Sequence, residues 1–219
     1  MTSQPPVKLN YTYSSHLHQY ALSLSTFRAS NPQYTHFVVG GLIYSSTCNY
    51  NWNTPASPTN TNNPLPNSFP KSNPTPQTRV LLLQRSQHDS LPGFWEGPGG
   101  LCEVTDDSIL AGAAREVYEE SGLHVSRFVD LIAVDEWTRV KSDEVVRAAK
   151  FTFLVEVEEA ETVGWEEMVN LEPEEHEEFV WATEEEVKYG VEGNGSRLRF
   201  VGDQGKTLLR GFGLFEGRE

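Results

Sequence analysis

The stretch GPGGLCEVTDDSILAGAAREVYEESGL, residues 97–123, crowds Glu116, Glu119 and Glu120 into five consecutive positions. On a helix advancing about 100° per residue, the three carboxylates fall within an arc of roughly 100°. Like charges three and four residues apart repel and destabilise a helix. Arg115 is read as projecting to one side of that arc, so no cation on it offsets the repulsion. The arrangement makes chemical sense if a cation from outside the chain sits between the carboxylates. An all-oxygen donor set suits Mg2+ or Mn2+, hard ions that also take phosphate oxygens and keep several waters.

The helix that must carry these acids is legible in the same stretch. Asp106 or Asp107 can cap its N-terminus, and Gly122 stands where a C-terminal glycine ends a helix. Ile109, Leu110, Ala113, Ala114 and Val117 form one apolar face. The carboxylate arc adjoins that face and overlaps its edge, whereas a purely solvating charge run would lie opposite it.

Around this helix the chain reads as strands and helices without regular alternation, which predicts an α+β fold. From Ser14, the recurrence of Leu17, Tyr20, Ala21, Leu24 and Phe27 predicts one N-terminal helix, an extension over residues 1–34. THFVVGGLIY and RVLLLQR read as strands. Between them, residues 45–78 hold seven of the thirteen prolines and are crowded with Asn, Ser and Thr. This composition cannot bury enough apolar surface to offset its ordering entropy, so a disordered insertion interrupting a hairpin is expected there. Further strands are expected at FVDLIAVDEW, AKFTFLVEVE and EFVWA. Thr183 and Glu186 form a capping box for another helix, and GKTLLRGFGLF is a terminal helix or strand.

The formal charge of −14 is mostly local. Fourteen glutamates lie between Glu156 and Glu186 with no Lys or Arg among them, and acids and bases outside that span balance at seventeen each. With no basic stripe anywhere, a nucleic-acid polymer is not an expected ligand. No apolar run approaches the ~20 residues of a membrane span. The start, MTSQPPVKLNYTYSS, lacks the charged and apolar regions of a signal peptide, which predicts an intracellular protein, cytoplasmic or nuclear. Cys48 and Cys102 are too few for a disulfide framework and lack zinc-ligand spacing; a surface thiol and a buried small side chain are expected.

REVYEESGL, Arg115 to Leu123, resembles the second half of the Nudix hydrolase signature, G-x5-E-x7-R-E-U-x-E-E-x-G-U with U bulky and apolar, at every fixed position. LPGFWEGPGG is similar to the proline-glycine strand end that precedes the signature, and HEEFVWATEEEV to a later family segment. The resemblance covers roughly residues 35–190, within a domain drawn at 35–219. The first half departs from the pattern. With seven residues between it and Arg115 stands Asp107 rather than Glu, and six residues separate it from Gly100 instead of five. Asp106 satisfies the five-residue count, at the cost of eight residues before Arg115.

The resemblance implies an α/β/α sandwich around a mixed sheet and hydrolysis of a nucleoside diphosphate linked to another moiety, or of a nucleoside triphosphate. Glu116 and Glu120 would be the main metal ligands, Glu119 would complete the cluster, and the backbone carbonyl at Gly99 would also coordinate. Metal ions there would neutralise the pyrophosphate and lower the pKa of an attacking water. Glu116 is one candidate general base; Glu177 and Glu178 are others. Arg115 is expected to pair with Asp107 or a neighbouring glutamate and to orient the cluster. Arg85 could reach a phosphate or be a surface arginine, and Trp95 with Phe94 could stack on a base or pack in the core. Trp181 is expected in the core, and His176 is expected to be a loop residue among glutamates. The expected partner is a small-molecule nucleotide; many members of the family are homodimers. The rival reading is a non-hydrolytic Nudix domain that senses a nucleotide or binds a protein.

Overall fold

The computed structural model describes residues 10–47, 76–141, 144–193 and 195–218. Seven strands form one mixed sheet: β1 (Thr12–Tyr13), β2 (His36–Thr47), β3 (Gln77–Arg85), β4 (Trp95–Glu96), β5 (Val125–Lys141), β6 (Glu144–Val157) and β7 (His176–Thr183). Their order is β1-β5-β6-β2-β3-β4, with β7 on the other side of β3. The first part of β2 runs parallel to β6, and its end, from Tyr44 to Thr47, pairs antiparallel with Val80 to Gln77 of β3. The β2–β3 pair is therefore the interrupted hairpin read from the sequence. Its strands extend to Thr47 and back from Gln77, inside the expected 45–78 boundaries, and residues 48–75 of that expected insertion lie outside the described residues. Cys48 lies there too.

The strands read as near-continuous apolar runs because both faces of the sheet are covered. On β3, Leu81 and Leu83 enter one core cluster while Val80 and Leu82 enter another. The first cluster holds the apolar face of α2 (Ile109–Ser121) and the N-terminal residues Leu17, Tyr20, Leu24 and Phe27. The second holds Val187 of α3 (Glu184–Glu192) and Leu208 and Phe212 of α4 (Gln204–Glu216). Helices thus cover both sides of a mixed sheet, the α/β/α sandwich expected.

Several local readings are corrected. The N-terminal segment is not one helix: a 3₁₀ helix over Ser15–Ala21 is followed by α1 (Leu24–Ser30), with extended backbone at Leu22 and Ser23. Ser23 caps the second piece, its side chain accepting from the Thr26 N–H, so the apolar periodicity survives across a break. The N-cap of α2 is Ser108, which accepts from the Ala111 N–H at 3.1 Å, and neither aspartate takes that role. Gly122 does end the helix, in the left-handed conformation at φ 71° that favours glycine. The Thr183–Glu186 capping box is present in both directions, and GKTLLRGFGLF resolves as helix. Gly211 lets α4 lie against the sheet: a Cβ there would come 2.1 Å from the Tyr44 hydroxyl, which donates to the Leu208 carbonyl. Trp181 is half-buried, its ring edge-on to Trp165. Among the described residues no helix is long and apolar enough to cross a membrane.

Candidate active site

The site forms where α2 faces the glycine-rich turn that follows β4. That turn lies flat on β2: the Gly41 N–H donates to the Pro98 carbonyl at 3.0 Å and the Val39 N–H to the Gly100 carbonyl at 2.9 Å. Glycine is required for this contact. A Cβ on Gly99 would sit 2.3 Å from the Val39 carbonyl oxygen, and one on Gly100 would sit 2.6 Å from a Glu116 carboxylate oxygen. Ordinary side chains would push the turn off the strand and the acid off the turn.

The three glutamates of α2 are not equivalent. Glu116 and Glu120 are 8% and 5% exposed, whereas Glu119 points largely into solvent. The Gly99 N–H donates to Glu120 Oε2 at 2.7 Å, which aims that carboxylate at the turn. The expectation that no cation offsets the arc is overturned. Arg115 Nη1 donates to Glu116 Oε1 at 3.0 Å and to Glu119 Oε2 at 2.8 Å. A long guanidinium on the preceding position can fold back along the helix and span two acids, which a projection of side-chain directions misses.

Arg115 does not pair with Asp107. Its Nε and Nη2 donate to the two oxygens of Asp106 at 2.9 and 3.0 Å, and Nη2 also reaches the Leu101 carbonyl at 3.1 Å. Asp107 is exposed, its backbone carbonyl accepting from the Leu24 N–H. The five-residue count from Gly100 therefore gives the acid that meets the arginine. Gly112 makes room for it, since a Cβ there would lie 2.8 Å from Asp106 Oδ2. Burial pushes the Asp106 carboxyl up, but the Arg115 and Glu103 N–H bonds outweigh it and hold the group below its usual value.

The remaining sequence candidates separate. Arg85 is not offered to a phosphate: its guanidinium is engaged by Glu96, Asp89 and the Ser90 carbonyl. Trp95 is 1% exposed, with its Nε1 donating to the Arg197 carbonyl, so it is core and unavailable for base stacking. Glu177 and Glu178 point outward, one accepting from Gln87 Nε2 and the other facing Arg197. Three residues that the sequence reading did not assign to the site, His176, Glu175 and Glu96, stand near the cluster instead. His176 is 2% exposed at the start of β7, with Nε2 3.6 Å from Glu96 Oε1, so it is no loop residue in solvent. Glu120, Glu175 and His176 each offer a ligand atom, all within 4.8 Å of one another. Glu96 is also buried, and it opens onto a narrow crevice of about 20 Å³ on the α4 side of the sheet, shared with Lys150, Thr152, Asp135 and Gln204. The signal for Glu96 was its place directly before GPGG; for His176 it was the first position of a strand already expected.

Concentrated burial of acids has an electrostatic cost. Desolvation, with Glu119 and Glu175 nearby, pushes the Glu116 carboxyl up to about 7 against the pull of Arg115. Burial likewise raises Glu120 well above its ordinary value, helped by Glu96, Glu116 and Glu175 and opposed by the Gly99 N–H. Glu116 thus binds its proton more tightly folded than in the unfolded chain, where a glutamate titrates near ~4.3. Its contribution favours the native state below that value and is lost as pH rises through about 7. The metal-free protein is expected to melt roughly 2–4 °C higher at pH 6 than at pH 8, corresponding to about 1 kcal/mol. Melting curves of Glu116→Gln at the two pH values should lose most of this difference; an unchanged difference would assign it to other groups.

The family model described as the NUDIX domain matches residues 73–199, more than half of the chain. The chain belongs to the Nudix family. A comparison with curated proteins found no match. Among solved structures, the Nudix domain described here is similar to a MutT protein from Methanosarcina mazei, at 18% identity over 84% of this chain and 96% of that one, TM-score 0.47. It is also similar to an Ap4A hydrolase of C. elegans, at 15% identity over 84% and 100% of the two chains, TM-score 0.45. A third is the NUDIX domain of NrtR from Shewanella oneidensis, complexed with ADP ribose, at 13% identity over 82% and 87%, TM-score 0.46. In this Nudix chain the signature segment is α2 with its flanking turns, which carry Glu116, Glu119, Glu120 and Asp106.

Proposed function

We propose that this Nudix chain is a divalent-metal-dependent hydrolase that cleaves a pyrophosphate bond in a nucleoside diphosphate derivative or a nucleoside triphosphate. The observation that carries the reading is the burial of Glu116 and Glu120 on one turn of α2, with Arg115 as the cation that meets the cluster directly. Buried carboxylates in excess of their counter-charge suit Mg2+ or Mn2+, which fits the donor set of Glu116, Glu120, Glu119 and the Gly99 carbonyl. Bound there, the metal would neutralise the diphosphate and lower the pKa of an attacking water.

The chain's own residues supply the rest. Asp106 fixes Arg115, and Arg115 fixes Glu116, so the arginine acts as a positioning residue rather than a substrate contact. Gly99 and Gly100 bring backbone within reach of both acids without a side chain in the way. Glu116 and Glu175 are the acids placed to take a proton from water; Glu177 and Glu178 face away. The substrate is a small molecule of the cytoplasm or nucleus, and no nucleic-acid polymer is required.

The test is a panel of sugar nucleotides, nucleoside triphosphates, dinucleoside polyphosphates and coenzyme A, incubated with and without Mg2+ or Mn2+ and resolved by product. Metal-dependent release of a phosphorylated product from one class is expected. Tight nucleotide binding without turnover across the panel would replace this reading with the non-hydrolytic sensor.

A further inference from the structure

The loop before β7 is built rigidly and delivers an imidazole to the acid cluster. The His176 N–H donates to the Glu172 carbonyl at 2.9 Å, and Glu175 N–H to the same oxygen at 3.1 Å. Ser86 ties the loop to the end of β3, its N–H donating to the Glu175 carbonyl at 2.8 Å and its hydroxyl to the Glu174 carbonyl at 2.7 Å. The placement of His176 is therefore dictated by backbone bonds on both sides.

Its ring is nonetheless unsatisfied. Both Nδ1 and Nε2 are buried without a hydrogen-bond partner. The 3.6 Å separation from Glu96 Oε1 is longer than a hydrogen bond. Buried polar atoms are almost always paired, and leaving one unpaired costs on the order of 1–3 kcal/mol. A histidine that served only to fill the core would be expected to spend a nitrogen on a carbonyl or hydroxyl. This one is held instead beside Glu120 and Glu175, with ligand atoms of all three inside a 4.8 Å span.

We propose that His176, Glu175 and Glu120 form a divalent-cation site with one imidazole nitrogen, which favours a first-row transition ion such as Mn2+ over Mg2+. The inference rests on the reading above that Glu120 ligates metal, and adds a nitrogen donor outside the signature. Mg2+ demands oxygen ligands and near-ideal octahedral geometry, whereas imidazole suits transition ions. A carboxylate beside one ring nitrogen fixes the tautomer and leaves the other as the lone-pair donor. Glu96 is the carboxylate beside Nε2, at 3.6 Å, and a contraction to hydrogen-bond distance on metal binding would let it do this. The Glu96 carboxyl is pushed up by burial but held below its ordinary value by His176, Lys150 and Arg85, so it stays an acceptor.

Pulsed EPR of Mn2+ added to metal-stripped protein carrying 15N-histidine tests the site directly. Wild type should show the hyperfine coupling of one directly bound imidazole nitrogen, and His176→Gln should lack it. Competition with Mg2+ should show a preference for Mn2+ of at least ~10-fold that falls several-fold in His176→Gln, the range in which site residues tune metal affinity. Glu175→Gln, at an exposed position, should weaken Mn2+ binding by about 10-fold without loss of fold, which guards against a His176 variant that does not fold. Mn2+ held through Glu116 and Glu120 with no imidazole coupling in wild type would overturn this inference and leave the hydrolase reading standing. Mn2+ binding indifferent to Glu120→Gln would overturn both.

Discussion

Glu120→Gln is expected to lower metal-dependent turnover by at least ~100-fold, because a direct ligand outweighs the 10–100-fold that outer residues of metal sites control. The same substitution should leave the metal-free protein as stable as wild type or slightly more so. Glu120 is 5% exposed, and Glu96, Glu116 and Glu175 all disfavour its charge. The amide keeps the shape and an oxygen that can accept from Gly99 N–H, now made to Glu120 Oε2 at 2.7 Å. Wild type should gain melting temperature on addition of Mg2+ or Mn2+ with nucleotide, and the variant much less, since a ligand that binds only the native state stabilises it by mass action. Melting curves with and without metal, run beside product assays, check all three parts. A variant that unfolds more easily without metal yet keeps its turnover would make this acid structural and remove it from the metal site.

Asp106→Ala should be the second most damaging change, although Asp106 occupies a position that the signature spacing treats ambiguously. Its two oxygens hold Arg115 at 2.9 and 3.0 Å, and Oδ2 also accepts the Glu103 N–H at 2.7 Å. Its side chain is 6% exposed. Breaking a buried ion pair by removing one partner costs about 3–5 kcal/mol; retained bonds from Arg115 to Glu116 and Glu119 reduce this to ~2 kcal/mol. Turnover should fall on the order of 10-fold or more, because Arg115 no longer holds Glu116 in one place. Asp107→Ala, at an exposed position, should change stability by no more than ~0.5 kcal/mol and leave turnover intact. Chemical denaturation and steady-state rates of the two variants decide the matter, and a silent Asp106→Ala beside a damaging Asp107→Ala would reverse the assignment of the arginine's partner.

The acidic span from Glu156 to Glu186 shows how local charge and site charge differ. Thirteen of its fourteen glutamates lie outside the cation site proposed here, and Glu175 is the one whose carboxylate comes within 4.8 Å of the ligand atoms of Glu120 and His176. Composition alone could not separate that one from its neighbours. Its selection comes from Ser86, which pins the loop by the Glu174 and Glu175 carbonyls.

Local periodicity and capping chemistry are properties of short windows, and these were readable without a structure. The apolar face of α2, its end at Gly122, the buried runs of β2 and β3, the capping box at Thr183 and the pairing of acids at Glu116 and Glu120 all follow from spacing within one helix or strand. What lay beyond reach depended on separate segments meeting. Asp106 rather than Asp107 meets Arg115 because Ser108, not an aspartate, caps the helix and sets how the preceding turn folds back. Arg85 and Trp95 left the list of substrate contacts because Glu96, Asp89 and the carbonyl of Arg197, the last 102 residues further along the chain than Trp95, claim their polar groups. His176 entered the site because β7 pairs with β3, setting His176 opposite Arg85, while the β3–β4 pairing brings Glu96 alongside Leu83. Side chains can take a role in a metal site only where such long-range pairing brings them together, and sequence spacing carries no record of distance across a sheet.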